Sequence, residues 1–240
     1  MPRLDVLVTK NGLAESRERA QALILAGKVR VAGETVRSPA RTVSEDAPID
    51  VDAEPDFASR GALKLAPALD RFGVDPHGRV CADIGASTGG FTDVLLRRGA
   101  AKVYAVDVGR GLLHWRLRQN PRVVVMERVN ARDLQEFPET VSLVVIDVSF
   151  ISLEKILPAV RRAASDAEVV ALFKPQFEAG RAEVGKGGIV RDTAVIARAL
   201  ARFRQWCEAN GYAVRDEAAS EVSGAEGNRE IFVHLAQVQP

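Results

Sequence analysis

The sequence predicts an α/β protein: a doubly wound, mainly parallel sheet ending in an antiparallel hairpin, preceded by a small α+β module. Three observations predict it. Five short apolar runs, Val80–Ile84, Val103–Val106, Val123–Met126, Leu143–Ile146 and Val169–Phe173, recur with helical stretches between them. Continuous apolar strands of this kind belong to a sheet covered on both faces. Ala213–Val222 and Ile231–Val238 then follow each other with no room for a helix, as an antiparallel pair at the sheet edge would. Finally, charge is segregated at the start of the chain. Residues 1–41 carry eight bases and four acids, whereas residues 42–58 carry six acids (Glu45, Asp46, Asp50, Asp52, Glu54, Asp56) and no base. That is the pattern of a basic module and an acidic linker, and it divides the chain into 1–58 and 59–240.

The small module reads element by element. Leu4, Leu7 and Val8 fall at helical spacing, and Gly12 can stop that helix. Ser16 is placed to cap a second helix, Arg17–Ala26, with Ala20, Leu23 and Ile24 as its apolar stripe and Gly27 as its stop. Val29, Val31 and Val36 alternate around Ala32-Gly33-Glu34 as in a hairpin, and Ile49 with Val51 can close a small sheet. In the larger part, Gly90–Arg98, Ser152–Ala164 and Thr193–Asn210 read as helices.

Composition bounds the function. With 240 residues, 47% hydrophobic and 27% charged, the chain can bury a real core. A net charge of +1 does not by itself announce a nucleic-acid partner. Cys81 and Cys207 stand too far apart for a disulfide scaffold or a zinc motif, so no metal is expected. No apolar run reaches the roughly 18 residues of a membrane span, and the start lacks a signal peptide's apolar stretch. A cytoplasmic, membrane-independent protein is expected.

In a parallel sheet ligands bind at the carboxyl ends of strands, and three aspartates stand at such ends. Asp83 opens the turn Asp83-Ile84-Gly85-Ala86-Ser87-Thr88-Gly89-Gly90, where glycines admit positive φ and close approach of a ligand. Ser87 occupies the place of the second glycine of a dinucleotide fingerprint. An acid ahead of the turn suits a ligand with a positive amino group. Asp107, 24 residues on, can accept the hydroxyls of a ribose. Asp147 ends the fourth run. Each alone could simply cap a turn; together they indicate a nucleoside-cofactor site.

The amino-terminal residues Arg3-Leu4-Asp5, Gly12-Leu13, Ser16-Arg17, Ala20, Leu25, Gly27-Lys28-Val29, Val31, Gly33 and Val36 resemble the alpha-L RNA-binding module. The resemblance implies that Arg3, Arg17, Arg19, Lys28 and Arg30 face RNA phosphates. The larger part resembles the S-adenosylmethionine-dependent methyltransferases of Rossmann-like fold. Ser59-Arg60-Gly61-Ala62-Leu63-Lys64-Leu65, Asp147, Lys174-Pro175-Gln176-Phe177 and Gly227-Asn228-Arg229-Glu230 match the Lys-Asp-Lys-Glu tetrad of the FtsJ-like ribose 2′-O-methyltransferases. With the module in front, the whole chain resembles the TlyA family, whose members are also labelled haemolysins.

That resemblance implies S-adenosyl-L-methionine as cofactor, held by Asp83, Gly85, Ala86, Ser87, Gly89, Asp107, Asn130 and Asp147. It implies ribosomal RNA and ribosomal subunits as partners, and methylation of ribose 2′-hydroxyls, of cytidine in particular. The catalytic residues it implies are Lys64, Asp147, Lys174 and Glu230, which orient and activate the hydroxyl for in-line attack on the methyl. A lysine acts as a base only when uncharged; a second cation such as Lys64 favours that and the carboxylates oppose it. The sequence therefore leaves Lys174 open between base and stabiliser of developing alkoxide charge. Glu230 could alternatively pair with Arg229 or Arg215 on the surface.

Two further stretches invite a role. Residues 110–132 hold six arginines (Arg110, Arg116, Arg118, Arg122, Arg128, Arg132) against Glu127, as a second RNA surface or a solvated face. Gly185-Lys186-Gly187-Gly188 lacks the Walker spacing and reads as a mobile loop that folds over RNA. Competing readings are an RNA-binding assembly factor without catalysis, a membrane-active haemolysin and a nicotinamide oxidoreductase. An intact tetrad opposes the first, the absence of a spanning or amphipathic stripe the second, and Ser87 the third.

Overall fold

The computed structural model describes residues 1–14, 16–52, 57–180, 183–185, 187–224 and 227–238. Glu15, the linker residues Glu54, Pro55 and Asp56, and Lys186 of the glycine loop lie outside the described residues. The chain forms two units, Met1–Asp56 and Phe57–Pro240.

In the first unit, α1 (Leu4–Lys10) and α2 (Arg17–Leu25) accompany a sheet of β1 (Val29–Val31), β2 (Glu34–Val36) and β3 (Ile49–Val51) in the order β2-β1-β3. Ser16 caps α2 as its position predicts, its Oγ accepting from the Arg19 backbone N–H at 3.1 Å. Ala32 and Gly33 both take positive φ, which gives the tight turn that pairs Val31 with Glu34. Leu4, Leu7, Val8, Ala20, Ile24 and Val29 close the core. One charge sits inside it. Asp5 is fully buried and accepts from Arg3 Nε and Nη2 (both 3.0 Å), Arg17 Nε (3.1 Å) and Gln21 Nε2 (2.7 Å). The Arg3 hydrogen bonds, with those of Gln21 and Arg17, hold its carboxyl well below the usual range against the opposing effect of burial.

In the second unit, α3 (Ala62–Phe72) precedes β4 (Val80–Ile84), α4 (Gly90–Arg97), β5 (Lys102–Asp107), α5 (Trp115–Arg118) and β6 (Val123–Glu127). Then come β7 (Leu143–Ile146), α6 (Leu157–Ala163), β8 (Glu168–Phe173), α7 (Pro175–Glu178), α8 (Thr193–Ala209), β9 (Tyr212–Ala219) and β10 (Ile231–Gln237). The seven strands run β6-β5-β4-β7-β8-β10-β9, the first five parallel. One apolar layer joins α3 and α4 to the sheet through Leu65, Leu69, Phe91 and Leu95. The other joins α6 and α8 through Leu157, Val160, Leu200 and Phe203.

Two elements differ from the sequence reading. Ser152–Ala164 is not one helix: a 3₁₀ turn, Leu153–Lys155, precedes α6. Pro158 stands in the first turn of α6, where it cannot donate back to the preceding turn. The Glu178 carboxylate takes the Leu153 N–H at 2.8 Å. The terminal pair is antiparallel as expected, but its later strand is the inner one. β10 pairs with both β8 and β9, leaving β9 at the edge. Because β10 runs against its neighbours, its amino end lies at the edge where β4, β5, β7 and β8 end.

Candidate active site

The site grows from that shared edge. Ile84 pairs with both Val106 and Ile146, so Gly85, Asp107 and Asp147 emerge side by side. Ile231 pairs with Phe173, so Glu230 and Lys174, one residue beyond each, also meet there. Gly85 has φ +87°, and a side chain on it would collide with the Asp147 carbonyl oxygen. Only glycine lets these two strand ends approach so closely.

Two cavities share Gly85, Ser87 and Asp147 as a common wall. The smaller, about 350 Å³, includes Arg60, Lys64, Asp83 and Ala86 in its lining. The larger, about 860 Å³, includes Asp107, Asn130, Ser149, Phe150 and Gln176. Gly89 lines neither; at φ +94° it shapes the backbone that starts α4. Asp107 accepts from the Ser87 N–H (2.8 Å) and the Gly109 N–H (2.7 Å), which holds its carboxylate at the cavity wall. The Asn130 oxygen accepts from the Arg132 N–H, leaving its amide N–H₂ as the donor end toward a ligand.

Asp83 is fully buried at the back of the smaller cavity. Its Oδ2 accepts from the Thr92 N–H (2.8 Å) and hydroxyl (2.6 Å), while buried Oδ1 has no hydrogen-bond partner among the described residues. Burial, helped by the Asp147 and Asp107 carboxylates, pushes this acid up to about 7 against the Thr92 hydrogen bonds. A half-satisfied buried carboxylate facing a cavity fits a cationic ligand group.

The four tetrad candidates form two ion pairs. Lys64 Nζ donates to Glu230 Oε2 at 2.6 Å, both side chains largely removed from solvent at 13% and 3% exposure. Glu230 therefore does not pair with Arg229 or Arg215: register carries it inward, to the lysine that α3 points at the cavity. Lys174 Nζ lies 2.6 Å from Asp147 Oδ1 and donates a hydrogen bond to Ser149 Oγ at 3.0 Å. Lys174 and Glu230 stand behind the cavity walls, and Lys64 and Asp147 on them.

The remaining candidates are placed less uniformly. In the first unit Arg3 and Arg17 converge on Asp5, Arg30 pairs with Asp52 at 2.6 Å, and Lys28 is exposed. Among the six arginines of 110–132, Arg118 pairs with Glu127, Arg122 donates to the Leu96 and Ala100 carbonyls, and Arg132 reaches Asn130. That face is partly spent on internal structure. On the far side of the glycine loop Asn228 accepts from the Val190 N–H (2.9 Å) and donates to the Gly188 carbonyl (3.0 Å). Sequence reasoning missed Asp5, Ser149 and Phe150. Phe150 is 91% exposed at φ +65°, its ring tilted 5.2 Å from Phe177 at the rim of the larger cavity.

Comparison with known proteins agrees with this arrangement. The FtsJ-like methyltransferase family matches residues 57–237, and the S4 domain family matches residues 2–49. The chain is 48% identical to the 16S/23S rRNA (cytidine-2′-O)-methyltransferase TlyA of Mycobacterium tuberculosis, over 97% of this chain and 89% of that protein. It is 42% identical to Hemolysin A of Brachyspira hyodysenteriae, over 97% and 99%. A solved hemolysin-labelled structure from Streptococcus thermophilus superposes with a TM-score of 0.75 at 42% identity, covering 99% of this chain and 89% of that one. With its S4 domain and its FtsJ-like methyltransferase domain both in place, the chain belongs to the TlyA family of ribosomal-RNA 2′-O-methyltransferases.

Proposed function

We propose that this protein uses S-adenosyl-L-methionine to methylate ribose 2′-hydroxyls of ribosomal RNA, cytidines in particular, in the cytoplasm and on ribosomal subunits. The observation that carries the reading is the pair of buried Lys–carboxylate contacts beside the two-chambered cavity. The orphaned Asp83 Oδ1 fits the cofactor's ammonium. Gly85, Ala86 and Ser87 would line its path, Asp107 would take its ribose hydroxyls, and Asn130 would meet its adenine. When bound, this cofactor supplies a methyl group on a sulfonium, already activated for transfer.

The chain's own residues then have to orient a ribose hydroxyl and manage its proton. Lys174 is the central residue, the one this reading assigns to the 2′-oxygen. Asp147 holds Lys174 in place, and the Lys64–Glu230 pair fixes the opposite side of the site. Phe150 offers an aromatic face at the mouth, where a nucleobase can stack. In the first unit Arg3, Arg17, Arg19, Lys28 and Arg30 would contact phosphates, a salt-sensitive and largely sequence-blind attraction.

The test is transfer of labelled methyl from S-adenosylmethionine to ribosomal subunits by the parent protein and by Lys174→Ala. Label on cytidine 2′-oxygens that disappears in the variant is the expected result. Label surviving in the variant removes the role of Lys174. Absence of label with the parent, despite cofactor binding, means that the target is wrong, and absence of cofactor binding favours an assembly factor.

A further inference from the structure

We propose that Ser149 is a positioning residue for Lys174, setting the direction in which its ammonium meets the acceptor oxygen. The inference rests on the 2′-O-methyltransferase reading. The two partners of Lys174 differ in kind. The Asp147 contact is a charge pair at 2.6 Å that anchors the nitrogen to one carboxylate oxygen. The directed bond goes to Ser149 Oγ at 3.0 Å.

The difference matters because an ammonium has three N–H directions that rotate together about the Cε–Nζ bond. With Asp147 as its one anchor the side chain can still swing about that contact. A second bond, to the Ser149 oxygen, stops the swing and fixes the directions of the N–H groups. Lys174 is 8% exposed, so few other acceptors can compete for them.

The backbone supports this placement. Ser149 follows Asp147 by two residues and lines the larger cavity. The next residue, Phe150, has φ +65°, a conformation that a bulky side chain adopts at steric cost. The chain thus turns sharply just past the oxygen that meets Lys174. Because Oγ accepts a hydrogen bond from Lys174, the Ser149 hydroxyl can donate its own hydrogen elsewhere.

The experiment compares the full-length parent with Ser149→Ala and Ser149→Thr. It measures kcat and KM for methyl transfer to ribosomal RNA, the Kd for S-adenosylmethionine by calorimetry, and Tm. Loss of orientation lowers kcat by roughly ten- to a hundredfold in Ser149→Ala, with RNA KM, cofactor Kd and Tm within twofold or two degrees of the parent. Ser149→Thr, which keeps the hydroxyl, recovers most of kcat. A kcat for Ser149→Ala within twofold of the parent overturns the proposal. So does a loss equal in both variants, since the hydroxyl would then be irrelevant. A parent that transfers no methyl removes the functional reading, and the proposal with it.

Discussion

Lys64 and Glu230, 166 residues apart in the chain, meet as a 2.6 Å ion pair from which solvent is largely excluded. The lysine comes from the first helix of its unit and the glutamate from the residue just ahead of the last strand. Removing either partner leaves a charge buried with no counter-charge, which costs about 3–5 kcal/mol. Lys64→Ala should therefore lower both stability in urea and methyl transfer. Lys64→Met combined with Glu230→Leu should recover most of the stability and none of the activity. Recovery of activity in the double variant would show that the pair only holds the fold.

Asp83 predicts a pH dependence. It titrates at about 7 in the fold and at about 4 in an unfolded chain. The fold therefore keeps a proton that the unfolded chain releases. This contribution to stability is full below about pH 4 and is lost as pH rises through about 7. A bound ammonium instead favours the ionised carboxylate. Cofactor affinity should thus weaken as pH falls below about 7, approaching tenfold per pH unit, with proton release near neutrality visible by calorimetry in buffers of different ionisation enthalpy. Asp83→Asn should bind more weakly and show a flat profile.

Gly85→Ala should disable the site locally. Its φ of +87° strains any side chain, and the added methyl would strike the Asp147 carbonyl. Strain alone costs about 1–3 kcal/mol. Gly78→Ala is the control, since φ there is +70° with open space around the added atom. Both variants should lose a few degrees of Tm, while only Gly85→Ala should lose cofactor affinity, by tenfold or more. Equal affinities in the two would refute the close approach as a requirement for binding.

Asp5 tests the first unit. Its Arg3-led hydrogen bonds hold the carboxyl low, so its contribution to stability is present above the ordinary Asp range and is lost as pH falls below it. Asp5→Ala releases Arg3 and Arg17 from their common anchor. RNA affinity should drop, and the slope of log affinity against log salt should fall by about one to two. Cofactor affinity should not change. An unaltered salt slope would mean that these arginines do not touch phosphate.

What the sequence made legible was local or periodic. The five apolar runs, the Ser16 cap, the Ala32-Gly33 turn and the glycine turn after β4 each follow from residues close together in the chain. The partners of Asp5 and Glu230 were not legible, because each depends on elements brought together by the fold. Residue pattern alone left Glu230 open to a surface pair with Arg229 or Arg215; the family resemblance put it among the four catalytic candidates, and the antiparallel insertion of β10 turns it toward Lys64. Ser149 was hidden for another reason: a serine three residues past a strand has no distinguishing pattern until the lysine that follows β8 is seen to reach it.

The place of β10 between β8 and β9 makes the site indivisible along the chain. A truncated chain ending between residues 108 and 229 retains the glycine turn, Asp83 and Asp107, yet lacks both the carboxylate that neutralises Lys64 and the strand that seals β8. A nonsense mutation that removes β10 would thus be as damaging as one in the cofactor turn. No amino-terminal fragment can serve as a reduced version of the enzyme.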